Sequence, residues 1–110
     1  MMGQALFSYD IPVMKTSSAL TCLTKDQVAA NAETACIRCG RCVDVCPGRV
    51  VPQMLMTAAE HHDLAAFEKL NGMECCECGS CTFICPAHSP LTQAFKEMRK
   101  AVMAERKKKA

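Results

Sequence analysis

The sequence predicts a mainly α fold, with a short β-like segment ahead of it, organised around metal more than around a large apolar core. Three observations predict it. Two cysteine runs share one spacing, and apolar residues recur at helical intervals between and after them. Aromatic residues are scarce: Phe7, Tyr9, Phe67, Phe83 and Phe95, with no Trp. A chain of 110 residues has room for one small domain and at most a piece of another. Metal clusters can supply the order that a thin core cannot.

The first run is Cys36-Ile37-Arg38-Cys39-Gly40-Arg41-Cys42-Val43-Asp44-Val45-Cys46-Pro47, and the second is Cys75-Cys76-Glu77-Cys78-Gly79-Ser80-Cys81-Thr82-Phe83-Ile84-Cys85-Pro86. Both read C-x2-C-x2-C-x3-C-P. This spacing wraps three thiolates around one 4Fe–4S cube and sends the fourth to a neighbouring cube. Gly40 and Gly79 let the backbone pass close to inorganic sulfide, and Pro47 and Pro86 turn the chain away after the fourth cysteine. The crossing rule assigns Cys36, Cys39, Cys42 and Cys85 to cluster 1, and Cys75, Cys78, Cys81 and Cys46 to cluster 2. Two other readings of ten cysteines are weaker. A disulfide scaffold does not crowd three thiols this tightly, and a structural zinc site uses two C-x2-C pairs without a third cysteine following.

The elements follow in order. Ala5–Ile11 alternates enough for a strand, broken by Pro12, and Ala19–Leu23 is a second strand candidate. Residues 1–23 therefore read as the end of an upstream domain or a linker, and residues 24–110 as the helical cluster domain. Thr24 and Gln27 fit a capping box for a helix through about Glu33. Residues 40–45 form a helical turn within the first run. Pro52 suits a first helical position, with Met54, Leu55, Ala58 and Ala59 at helical spacing. Asp63 caps a further helix bearing Leu64, Phe67 and Leu70, which Asn71-Gly72 ends. Small β-α-β ferredoxins join their cysteine runs by a shorter link containing a strand. Here the link is two helices, so the fold is an α-helical ferredoxin. Ser89 and Pro90 start a last helix with the stripe Leu91, Phe95, Met98 and Val102, and Arg106-Lys107-Lys108-Lys109 forms a solvated basic tail.

Composition removes several classes of function. The formal charge of +2 counts the cysteines as neutral. Eight thiolates around two oxidised cores shift it by roughly −4, so the basic balance does not argue for nucleic acid. No run of apolar residues is long enough to span a membrane, and the start lacks a signal peptide. Reduced thiols and clusters point to the cytoplasm or the cytoplasmic face of a membrane. His61, His62 and His88 read as solvated, Cys22 as a packed thiol and Cys76 as a spare thiol, because eight cysteines complete the ligand set. No catalytic constellation is present, and two fully ligated cubes make an electron wire. Arg38, Arg41 and Arg49 flank the first run and Glu74 and Glu77 the second, so cluster 1 is expected to have the higher potential.

The stretch Thr34–Pro47 resembles the ferredoxin module of the RnfC component of the Rnf electron-transport complex. The second run through Leu91 resembles its partner run, and Met1-Met2-Gly3 and Asp10–Lys15 resemble the segment upstream of that module. The resemblance covers nearly the whole chain. It implies a peripheral protein on the cytoplasmic face of the cell membrane, relaying electrons between a flavin and other subunits of a membrane electron-transport complex or a redox partner protein. It places FMN and NADH on upstream domains only. The chain then corresponds to a C-terminal part that does not oxidise NADH alone. The alternatives are the iron–sulfur subunit of another flavin-linked oxidoreductase or a free-standing helical ferredoxin, and behind them a structural zinc or nucleic-acid binding module.

Overall fold

A computed structural model of the chain describes residues 6–25 and 30–109. The chain divides into two units, Gly3–Ala32 and Glu33–Ala110. In the first, the described residues form no strand and are exposed, with Phe7 and Tyr9 almost wholly so. The β-like segment expected over Ala5–Ile11 and Ala19–Leu23 is thus corrected: Ala5 lies outside the described residues, and the rest is irregular chain. A strand needs a partner to hold its backbone polar groups and a core to receive its apolar face, and this stretch has neither. One turn is fastened locally: the Ser17 N–H donates to the Met14 C=O (2.9 Å), and Met14 N–H to the Ser17 hydroxyl (3.2 Å). Of the helix expected over Thr24–Glu33, residues 26–29 lie outside the described residues, and among the others only Ala30 is helical.

The second unit is helical. Its elements are α1 (Arg41–Asp44), α2 (Pro52–Glu60), α3 (Leu64–Lys69), a 3-10 turn (Gly72–Glu74), α4 (Ser80–Ile84) and α5 (Leu91–Lys109). Pro52 occupies the first turn of α2, where its missing N–H costs nothing. The Asp63 side chain caps α3 by accepting the Ala66 N–H at 2.9 Å. Asn71 leaves that helix in the left-handed conformation (φ 58°), as its short polar side chain permits. The last helix is 19 residues long and runs through the basic residues to Lys109. There Arg106 pairs at the surface with Glu68 of α3 (2.7 Å), and Arg106–Lys109 stay exposed as the sequence suggests.

The core lies where α2, α3 and α5 meet. Leu55 and Phe67 are fully buried and Phe95 nearly so, each burial being worth about 1.5–3 kcal/mol. The Phe67 and Phe95 rings pack tilted, with centroids 6.2 Å apart. Met98 and Val102 extend the α5 face and Leu91 begins it, as the sequence stripe predicts.

A repeat relates the two halves of this unit. Each first-run cysteine has its counterpart 39 positions on, from Cys36 and Cys75 to Cys46 and Cys85. The backbone repeats with them. Arg38 and Glu77 both have φ 56°, Gly40 and Gly79 have φ 78° and 80°, and Arg49 and His88 have φ 50° and 53°. Helix α1 answers to α4, and α2 to the start of α5. The entry of each run lies beside the exit of the other. The Thr34 N–H donates to the Ala87 C=O (3.0 Å), and at Gly48 an added Cβ would stand 3.2 Å from the Glu74 carbonyl oxygen.

Candidate metal centres

The two cysteine runs are loops whose shape is set by left-handed residues. Gly40 and Gly79 take up the left-handed turn that starts α1 and α4, a conformation costly for any residue with a Cβ. The α1 and α4 helices are four and five residues long, too short to persist alone, and each carries the third cysteine of its run, Cys42 or Cys81. At the head of each loop the same hydrogen bond recurs. The Arg38 N–H donates to Cys36 Sγ and the Glu77 N–H to Cys75 Sγ, both at 3.4 Å.

Two cavities adjoin these loops. One is lined by Cys36, Cys39 and Cys42 together with Cys85. The other is lined by Cys75, Cys78 and Cys81 together with Cys46, with Cys76 also on its wall. Each cavity therefore draws three cysteines from one run and the last from the other. The helix after each run supplies a wall at repeat-related positions, Gln53 and Met56 of α2 on the first and Thr92 and Phe95 of α5 on the second; Glu60 also lines the first, while its counterpart Arg99 stands outside the lining of the second. Four thiols around the first space and five around the second, with backbone N–H groups already aimed at sulfur, suit a thiolate-bound cluster. Among the described residues no three His, Cys, Asp or Glu side chains converge as they would on a single metal ion.

Hydroxyl groups organise the second cavity. Thr82 and Thr92 hydroxyls bond at 2.8 Å, the Thr92 N–H donates to Thr82 Oγ1 (3.0 Å), and Thr92 Oγ1 lies 3.8 Å from Cys81 Sγ. The Cys78 thiol donates to the Ser80 hydroxyl at 3.5 Å. That hydroxyl pulls the Cys78 thiol below its ordinary value. Burial pushes Cys42 and Cys75 up. Cys81 and Cys85 add to the push on Cys42, so a thiol of one cavity feels sulfurs of both. For Cys75, Cys81 and Cys76 raise and the Arg99 guanidinium opposes.

The residues outside the eight are placed plainly. His61, His62 and His88 are exposed, and so is Cys22, which lies in the other unit; the expectation that Cys22 is packed is corrected. Arg99, Thr82, Thr92 and Ser80 carry no signal in the cysteine spacing. The 39-residue repeat offers one for Arg99, since it aligns that residue with Glu60 across two otherwise matching helices.

Residues 35–89 match the 4Fe-4S dicluster domain family. Over 108 residues, 98% of its length, the chain is 39% identical to the C component of a Na(+)-translocating ferredoxin:NAD(+) oxidoreductase complex of Acetobacterium woodii. It is 51% identical over 55 residues, 50% of its length, to the C component of a proton-translocating ferredoxin:NAD(+) oxidoreductase complex of Clostridium ljungdahlii. It is 38% identical over 68 residues, 59% of its length, to the C component of an ion-translocating oxidoreductase complex of Yersinia enterocolitica. The chain spans 24%, 12% and 10% of these relatives, respectively. The chain belongs to the 4Fe-4S dicluster domain family, carries two 4Fe–4S clusters and is similar, within that family, to the ferredoxin module of RnfC.

Proposed function

We propose that this chain passes single electrons between two 4Fe–4S clusters, as the relay module of an Rnf-type ferredoxin:NAD oxidoreductase. The observation that carries the reading is the crossed lining of the two cavities. Cluster 1 is held by Cys36, Cys39, Cys42 and Cys85, and cluster 2 by Cys75, Cys78, Cys81 and Cys46. The clusters supply the electron storage, one electron at a time. The protein surrounds them with thiolates, supplies N–H donors to those sulfurs and keeps them near each other by sharing both runs. With four thiolates on each cube no position stays open for substrate, so the module conducts and does not catalyse by itself.

The relatives' names speak of Na(+) in one case and protons in another, so the coupling ion does not carry over. Residues 1–23 join the cluster domain to an upstream domain, and FMN and NADH belong to parts of the relatives that this chain does not span. Its partners are the other subunits of the complex, at the cytoplasmic face of the membrane. No helix among the described residues is long and apolar enough to cross one.

The test is iron and acid-labile sulfide analysis of anaerobically purified protein, followed by Cys42→Ser and Cys46→Ser. Two cubes give about eight irons per chain, and either variant retains about four. The two variants come from one run but remove different clusters, so their residual paramagnetic resonance spectra differ. Identical residual spectra would mean that Cys42 and Cys46 serve one cluster, and the crossed assignment falls.

A further inference from the structure

Arg99 is a charged residue that neither the cysteine pattern nor the relay reading accounts for. It sits on α5 one turn beyond Phe95 and two turns beyond Thr92, which places it on the same helix face as these two residues of the second cavity's wall. Its guanidinium pairs through one terminal nitrogen with Glu77, a residue of that cavity's lining whose N–H already donates to Cys75 Sγ. The side chain is 22% exposed, and its Nε is buried with no hydrogen-bond partner. Leaving a buried charged donor unmet is costly, so such a group is expected to have a use. The Arg99 charge also reaches the Cys75 thiol.

The first cavity carries the reverse arrangement. The repeat aligns Glu77 with Arg38 and Arg99 with Glu60, so the loop there bears the cation and the helix the anion. Both residues line the first cavity, but both are exposed, where water and salt screen them. Arg99 is mostly covered, and a covered charge acts more strongly on a neighbouring cluster. The acidic flank expected to depress cluster 2 is thus half neutralised: Glu77 is bound to Arg99.

We infer that Arg99 donates its Nε–H to cluster 2, at the Cys75 sulfur or an adjoining sulfide, and raises the reduction potential of that cluster. This rests on the proposed function, in which the second cavity holds a cluster. Adding an electron makes the cube more negative, and a cation with a donor aimed at its sulfur favours the reduced form.

The experiment is a dithionite redox titration of the full chain, followed by paramagnetic resonance, with iron and sulfide counted in every variant. In Arg99→Met one midpoint falls and the other stays. The expected change is at least tenfold in the oxidised-to-reduced ratio at fixed poise, which is about 59 mV for one electron. Arg99→Lys keeps the charge without the Nε donor and restores only part of the shift. Glu77→Gln removes the opposing anion and moves the same midpoint upward. If Arg99→Met does not load, Arg99→Lys decides, because it retains the charge and lacks the Nε donor, and its midpoint must lie below that of wild type. Full loading with both midpoints unmoved in Arg99→Met, or an unmoved midpoint in Glu77→Gln, overturns the inference. Wild-type protein with only one cluster sinks the relay reading instead, so the two failures are distinct.

Discussion

Gly72 marks the tightest packing point behind the second cluster loop. A Cβ placed on it would stand 2.4 Å from Phe67 Cε1 and 2.5 and 2.6 Å from two more ring carbons. Normal carbon contacts begin near about 3.5 Å, so Gly72→Ala drives an overlap of about 1 Å into a ring with no exposed surface. The ring cannot swing outward, because Phe95 and the core close it in. Gly72 has an ordinary backbone conformation, so the cost is steric alone. Overpacking of this kind costs about 1–3 kcal/mol. In a domain of this size each kcal/mol lowers the melting midpoint by about 4–8 °C. The assay is an anaerobic thermal scan of holo-protein, read by helical circular dichroism and by loss of the brown cluster absorbance. Both should fall together, because Gly72 opens the turn that leads into Cys75. Phe67→Leu should relieve part of the damage, with a favourable coupling of about 0.5–3 kcal/mol in the double variant. A Gly72→Ala protein melting within about 2 °C of wild type would refute the steric argument. So would a double variant whose losses simply add.

Two further outcomes follow from the structure. Asp63→Ala removes the side-chain cap of α3, leaving the Ala66 N–H unmet. It should lower stability by about 0.5–2 kcal/mol, with Asp63→Asn close to wild type; equal melting of all three proteins would show the cap to be idle. Burial holds the Cys42 and Cys75 thiols above their ordinary value of 9.0, so both are protonated at neutral pH when no metal is bound. Cluster insertion must remove those protons, so reconstitution should release acid into weak buffer and slow as pH falls from about 8 to about 6. A rate independent of pH would contradict this. The Cys78 thiol is pulled the other way by the Ser80 hydroxyl.

Both cysteine runs were legible as cluster loops because thiolate chemistry restricts spacing so tightly that a short run reveals it. The helices were legible too, since Pro52, Asp63, Asn71 and the Leu91–Val102 stripe carry local signals of capping, stopping and burial. The N-terminal alternation misled, because pattern alone does not show whether a neighbouring strand exists. The pairing of Arg99 with Glu77 was illegible for a related reason. Its relation to Glu77 spans 22 positions and exists only because α5 folds back beside the second loop. Local spacing determined the kind of chemistry this protein holds. The spacing also called for Cys46 and Cys85 to cross between the runs; tertiary structure supplied the walls around them, with α2 beside the first cavity and α5 beside the second. It also decided which charges stand sheltered beside them, since shelter and cross-chain neighbours arise only when distant segments pack.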